Sequence, residues 1–301
     1  MTTRSPLRLS SACFEETSRT VVLPERPPRA ARPGTLPAAG PLRLDSVRLP
    51  PGRPVNPRTG RGALPPALWT TDEPVDSAAA AWAALAEQFP DTGLWPVLLR
   101  SLGDDSGRPW NGEDLYPVAE SAIDAHDPGK VLDDAWHGWL VPIRNPWPAG
   151  TGPLAPFGPS FPGLAPQLAS MDVDPLVAAA GGASRLGLVS CRRPADALAL
   201  AGWTGTVNRL EPVEVSAVLR SWEDRFGAVL VGLAFSTITL LVTRPPVSQD
   251  DALRGAAEVA ALCPDALWQP DSYETPTQRE CTLAAIAQEV VRERVWRLWF
   301  H

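Results

Sequence analysis

The chain is predicted to be an α+β protein. It combines a C-terminal split-βαβ, ferredoxin-like sandwich with a smaller N-terminal α+β domain and a disordered N-terminal tail. Three observations predict this. Residues 212–226 carry apolar positions at helical spacing, stop at Gly227 and run into two apolar strands closed by Pro245-Pro246. Residues 185–301 as a whole read β-α-α-β-β-α-α-β, the order of a split-βαβ arrangement. Residues 1–40 are rich in Pro, Arg and Ser and show no sustained periodicity, so they cannot bury enough apolar surface to order themselves.

Order is expected to begin near Leu42, with Leu42, Leu44, Val47 and Leu49 suggesting a strand. A helix follows from Ser77, with Trp82, Leu85 and Phe89 on one face. Residues 94–99 form a strand candidate in which Pro96 removes a ladder donor, which predicts an edge or a bulge. The helix predicted over 128–140 has a broad apolar stripe of Val131, Leu132, Ala135, Trp136 and Trp139. Residues 41–144 make up the N-terminal domain and residues 145–175 a Pro/Gly-rich junction. Its aromatics Trp147, Phe157 and Phe161 are costly to expose, so residues 161–164 should lie against one of the domains.

The C-terminal domain, residues 176–301, opens with a strand over 185–191 and a short helix over 194–201 capped by Gly202. Pro212 suits a first helical turn, and Val215, Val218, Leu219, Trp222 and Phe226 follow on one face. Strands over 228–235 and 238–243 come next. A helix then starts at the Ser248 cap, with Asp250 and Asp251 favouring its dipole, and closes at Cys263-Pro264-Asp265. The last helix opens with a capping box, Thr277 and Glu280, and carries Leu283, Ile286, Ala287, Val290 and Val291. Trp296, Leu298 and Phe300 alternate with Arg297, Trp299 and His301 in a final strand.

Composition narrows the function classes. With 301 residues, 44% apolar, the chain can bury a core and suggests two domains. Residues 1–66 hold 11 Arg and 4 acids, and the remainder carries 16 basic and 30 acidic residues. An acidic folded part repels phosphate backbones, which excludes nucleic acid as its partner. Cys13, Cys191, Cys263 and Cys281 show no C-x-x-C pair, which points to a reduced, cytoplasmic setting without metal fingers. No apolar run is long enough to cross a bilayer and no signal-peptide core is visible.

Motifs exclude more chemistry than they support. His137 follows Asp133 by four residues, but two ligands without a third make an exposed surface pair. His126 lies in an Asp-Ala-His-Asp loop read as solvated. Within residues 181–187 the glycines at 181 and 182 precede a strand instead of opening a helix, and no Lys-Ser/Thr pair follows, so a phosphate loop is a poor explanation. Cys191 and Cys263 lack a neighbouring base, and there is no G-x-S-x-G elbow. Trp222 falls on the apolar stripe, whereas Glu223 and Arg225 fall off it and can face a partner or pair with neighbours. Trp203, Asn208, Asp265 and Trp268 sit on loops, where binding residues concentrate. Twelve Trp is high, and Trp anchors interfaces as well as cores.

Arg185-Leu186-Gly187-Leu188-Val189, Arg193-Pro194-Ala195-Asp196-Ala197-Leu198, Ser221-Trp222-Glu223-Asp224-Arg225-Phe226-Gly227-Ala228, Cys263-Pro264-Asp265 and Trp296-Arg297-Leu298-Trp299-Phe300 together resemble the bacterial family catalogued as domain of unknown function 4253. The resemblance covers about the last 120 residues, a normal domain size. Upstream, Leu49-Pro50-Pro51-Gly52-Arg53, Leu68-Trp69-Thr70-Thr71-Asp72-Glu73-Pro74 and Thr92-Gly93-Leu94-Trp95-Pro96-Val97 look like the region preceding that domain in actinobacterial members. Members tend to end in a Trp-Trp-Asp-like run, where this chain has Trp299-Phe300-His301. The resemblance implies a fold and no activity.

These readings converge on a cytoplasmic, non-catalytic interaction or immunity-like module that covers a basic protein partner and requires no cofactor or metal. The candidate binding residues are Trp203, Asn208, Trp222, Glu223, Arg225, Asp265 and Trp268, and no catalytic residue is assigned. The alternative is a small-molecule-binding protein or enzyme with a carboxylate/arginine site at the domain junction, signalled by convergent charged side chains.

Overall fold

The structure is a computed structural model that describes residues 30–45, 47–59, 62–76, 78–102, 107–167, 184–269 and 280–301. In chain order the strands are β1 (Gly40–Leu44), β2 (Val47–Val55), a small hairpin of β3 (Arg58–Thr59) and β4 (Gly62–Ala63), β5 (Leu68–Thr71), β6 (Leu94–Leu99), β7 (Arg185–Ser190), β8 (Ala228–Leu233), β9 (Thr237–Val242) and β10 (Val295–Trp299). The helices are α1 (Ala78–Glu87), α2 (Phe89–Thr92), α3 (Glu120–Asp124), α4 (Pro128–Ala135), α5 (Ala197–Ala201), α6 (Pro212–Phe226), α7 (Gln249–Leu262), α8 (Asp265–Trp268) and α9 (Leu283–Arg292).

One eight-stranded sheet, ordered β1-β2-β5-β7-β6-β8-β9-β10, runs through the molecule. The two segments expected as separate domains are interleaved in it. Strand β7 pairs antiparallel with β5 and with β6, and β6 pairs parallel with β8 at Leu98↔Gly232 and Leu99↔Leu233. A split-βαβ arrangement would bring the last strand beside the first, so the ferredoxin-like expectation is corrected here. Burial explains the difference. Strand β6 is buried at every position and can occupy an interior place, whereas β10 presents half-buried and exposed residues and lies at the edge beside β9.

Pro96 therefore sits in an interior strand, against the expectation of an edge or bulge. The parallel ladder to β8 begins only at Leu98, and indoles occupy acceptors before that point. Trp95 Nε1 donates to Leu230 O at 2.8 Å and Trp82 Nε1 to Pro96 O at 2.8 Å.

Residues 30–40 fall within the stretch expected to be disordered, yet they are anchored. Ala31 N donates to Arg192 O, Gly34 N to Gly93 O, and Ser190 Oγ to Gly34 O. Close backbone approach makes this possible: Gly93 has φ 63°, and a Cβ there would stand 1.8 Å from Arg32 O. The expectation for residues 1–29 lies outside the described residues.

Helix α6 has the expected bounds, with Glu211 and Glu214 in a capping box and Gly227 as left-handed cap. Helix α9 starts at the Thr282 cap, whose side chain accepts from Ala285 N; Thr277 lies outside the described residues. Helix α1 packs on β2, β6 and β7, and α4 packs against both α6 and α7, so first-part and second-part residues share one apolar core. The junction contributes to it through buried Leu154 and Ala165 and through Trp147, Phe157, Phe161 and Leu164.

After Ala135 the fourth helix widens into a π-helical turn, Trp136–Leu140, with Val141 N donating to Trp136 O. The wider turn changes the angular phase. Trp136 stays buried, while Trp139, expected on the same stripe, swings out to 43% exposure.

Candidate arginine–carboxylate site

Where helix α7 ends, Cys263-Pro264 turns the chain into the single-turn helix α8, whose first residue is Asp265. Its carboxylate is 2% exposed, and three donors satisfy it: Arg209 Nη2 at 3.2 Å, Gln269 Nε2 at 3.2 Å and His301 N at 3.0 Å. Cys263 Sγ donates to Trp299 O at 2.9 Å, and burial pushes this thiol up to about 12, so it serves as a donor and not as a nucleophile. Helix α8 and the end of β10 thereby hold Asp265 rigidly.

Arg209 reaches Asp265 from the turn that precedes α6. Thr206 O accepts from Arg209 N at 2.8 Å and from Leu210 N at 2.9 Å, which places residues 206 and 209 one turn apart. The guanidinium carbon lies 4.8 Å from the ring centroid of Trp139 on the π-turn. Such a contact is worth roughly 0.5–2 kcal/mol, depending on desolvation. Arg209 is thus fixed by a buried carboxylate and an indole face.

Its donors are not all spent. Among the described residues, the buried atoms without a hydrogen-bond partner include Arg209 Nε, Thr206 Oγ1 and Trp136 Nε1. Two belong to the Arg209 turn and the third to the π-turn that presents Trp139. Trp268, 36% exposed on α8, stands 6.0 Å from Trp147 of the junction segment. The part of the Arg209 guanidinium that stays accessible, its side chain being 22% exposed, and the exposed indoles can engage an acceptor-bearing molecule by hydrogen bonding and stacking.

Arg53, Arg58, Arg108 and Arg192 make exposed carboxylate contacts, whereas those of Arg225, Arg193 and Arg220 are ties within the fold. Glu258, fully buried, accepts from Ala165 N at 2.7 Å, Arg225 Nη1 at 2.8 Å, Arg225 Nη2 at 2.5 Å and Trp222 Nε1 at 2.8 Å, joining junction, α6 and α7. Glu223 accepts from Arg193 Nε at 3.2 Å and Ala195 N at 3.1 Å. Burial outweighs the pull of Arg193 and raises the Glu223 carboxyl to about 7. Arg220 ties buried Asp196 at 2.5 Å to Asp124 of α3 at 2.6 Å.

The candidate residues therefore separate. Asn208, Asp265 and Trp268 lie on the elements of this site, Asn208 being exposed on the Arg209 turn. Trp203 is buried, with Nε1 donating to Ala234 O and its ring against Phe300. Trp222 is core, edge-on to Trp296. Glu223 and Arg225, open between facing a partner and pairing with neighbours, pair within the fold: Arg193, ahead of α5, partners Glu223, and Glu258 of α7 partners Arg225. Sequence reasoning missed Arg209, Thr206 and Trp139. Adjacency to Asn208 was the available signal for the first two, and Trp139 was hidden by the shift to π-helical phase.

His137 Nδ1 lies 3.4 Å from Asp133 Oδ1 on an exposed face. Among the described residues no three His, Cys, Asp or Glu side chains group as metal ligands, and no helix is long and apolar enough to cross a membrane. Burial raises the Cys191 thiol well above its ordinary value. No curated protein and no solved structure matches the chain. Residues 185–300 match the model of the family described as Domain of unknown function (DUF4253). A DUF4253 domain is thus present over this span, and it supplies Thr206, Arg209, Asp265 and Trp268 of the site, while Trp136, Trp139 and Trp147 come from the chain before it.

Proposed function

We propose that the protein binds a small molecule at the Arg209–Asp265 site, where the DUF4253 domain meets the preceding part of the chain. The observation that carries this reading is Arg209 itself: a guanidinium immobilised by a buried carboxylate and an indole while its side chain stays 22% exposed. Recognition sites combine apolar walls with a few fixed polar groups, and Trp139 and Trp268 supply the former. The test is ligand-observed NMR with a mixed fragment panel on the wild-type protein and on Trp139→Ala. Hits that weaken at least tenfold in the variant support the site. Hits unaffected by the variant refute it.

A second reading, an interaction surface for another protein, draws support from the same exposed indoles, since Trp is favoured where a partner anchors. A reduced, cytoplasmic setting belongs to both readings and is supported by the free thiols of Cys191, Cys263 and Cys281.

A further inference from the structure

We infer that the chain pairs with a second copy of itself through α9, in an antiparallel, two-fold arrangement. Residues four apart share one face of a helix, and Glu280, Ala284, Gln288 and Arg292 follow that spacing. All four are exposed, Glu280 just ahead of the Thr282 cap and Arg292 at the last position of the helix. The row has an acid at one end and a base at the other, with a methyl and an amide between them. Among the described residues no ion pair holds either Glu280 or Arg292. The surface shares no residue with the Arg209–Asp265 site, so the inference stands whatever binds there.

The row stands as a ridge between two grooves. Towards α7 lies a groove of about 320 Å³ walled by Val247, Leu253, Ala287 and Val291, and on the other side one of about 430 Å³ walled by Thr282, Ala285, Glu289 and Glu293. Ala284, Gln288 and Arg292 line both. Helices pack by seating the ridge of one in the groove of the other. A two-fold axis between Ala284 and Gln288 sets Ala284 opposite the partner's Gln288 and Glu280 opposite the partner's Arg292, and the symmetry makes each contact twice. A parallel pairing would set acid on acid and base on base, so charge selects the antiparallel one. Val247 and Val291, 63% and 38% exposed, rim the first groove and are drawn out of water by the partner's ridge.

The experiment is sedimentation equilibrium of the full chain over roughly 1–300 µM, for the wild type, Glu280→Arg, Arg292→Glu and the double variant. The wild type is expected to show a monomer–dimer equilibrium within that range. Each single swap sets like charges together twice and should weaken the dimer about tenfold or more. The double swap restores the complement, so its dimer should return to within about threefold of the wild-type constant. Both positions are exposed, so thermal melts of the variants should overlay the wild type and separate lost pairing from lost folding. A wild type that stays monomeric throughout overturns the inference. A dimer that the single swaps leave intact overturns it too, because that dimer uses another face, and so does a double swap that pairs no better than the singles.

Discussion

Replacing Glu258 by Ala tests how the junction is held. The carboxylate is fully buried and takes four hydrogen bonds, from Ala165 N, Trp222 Nε1 and both terminal nitrogens of Arg225. Removing it leaves a guanidinium in a largely buried place with Ala165 O and Ser221 Oγ as its hydrogen-bond acceptors among the described residues, and it orphans an indole N–H and a backbone N–H. Breaking a buried pair from one side costs about 3–5 kcal/mol. For a chain of this size a kilocalorie shifts the melting midpoint by about 2–4 °C, so a fall of about 6–20 °C is expected. Differential scanning calorimetry of the wild type, Glu258→Ala, Arg225→Met and the double variant measures it. The uncompensated charge accounts for much of the loss, so the double variant should melt above Glu258→Ala. A midpoint within about 2 °C of wild type for Glu258→Ala, or a double variant whose loss equals the sum of the single losses, refutes the reasoning.

Glu223 gives a pH signature. Its folded carboxyl titrates at about 7 against an ordinary 4.5, so the folded state holds the proton more tightly than the unfolded one. That contribution is fully present below about 4.5 and is lost as pH rises through about 7; Glu223→Gln should flatten this part of the urea-midpoint profile between pH 5 and 8. Deleting residues 296–301 removes buried Trp296, Leu298 and Phe300 and uncovers the β9 edge; since one buried aromatic is worth about 3–5 kcal/mol, the truncated chain should lose its cooperative thermal transition, and a retained one counts against an integral β10. Deleting residues 1–40 should lower the melting midpoint, because Ala31 and Gly34 bond to the ends of the sheet; an unchanged midpoint would show those bonds to be dispensable. Gly93→Ala should destabilise the fold by more than about 1 kcal/mol in chemical denaturation, given its positive φ and the carbonyl of Arg32 against the added carbon.

The site was only partly legible. Asp265 and Trp268 drew attention because charged and aromatic residues on a short connection have few local partners, and Asn208 marked the turn that holds Arg209. The choice for Glu223 and Arg225 between facing a partner and pairing with neighbours stayed open because the helical wheel of α6 reports one apolar face and says nothing of a second layer. Arg193 and Ala195 cover one flank of that helix and Glu258 of α7 covers the other, so charges off the stripe are still interior. Trp139 shows the complementary failure: regular spacing predicted burial, and one π-turn rotated the side chain to the surface.

What the sequence determined by itself is local. Caps, glycine stops and apolar periodicity define α6 from Pro212 to Phe226, α7 from the Ser248 cap and the alternation of β10, because each depends on neighbours within a few residues. What only the tertiary structure decided is strand order and the convergence of the site. Strand β6 enters between β7 and β8 because it is apolar on both faces, and β10 goes to the edge because exposed Arg297 and half-buried Val295 and Trp299 leave one of its faces open. Arg209, Asp265 and Trp139 meet because the packing of α4 on α6 and α7 brings the first part of the chain against the second. Such contacts between residues far apart in sequence are selected by the burial of the whole core and leave no periodic trace along the chain.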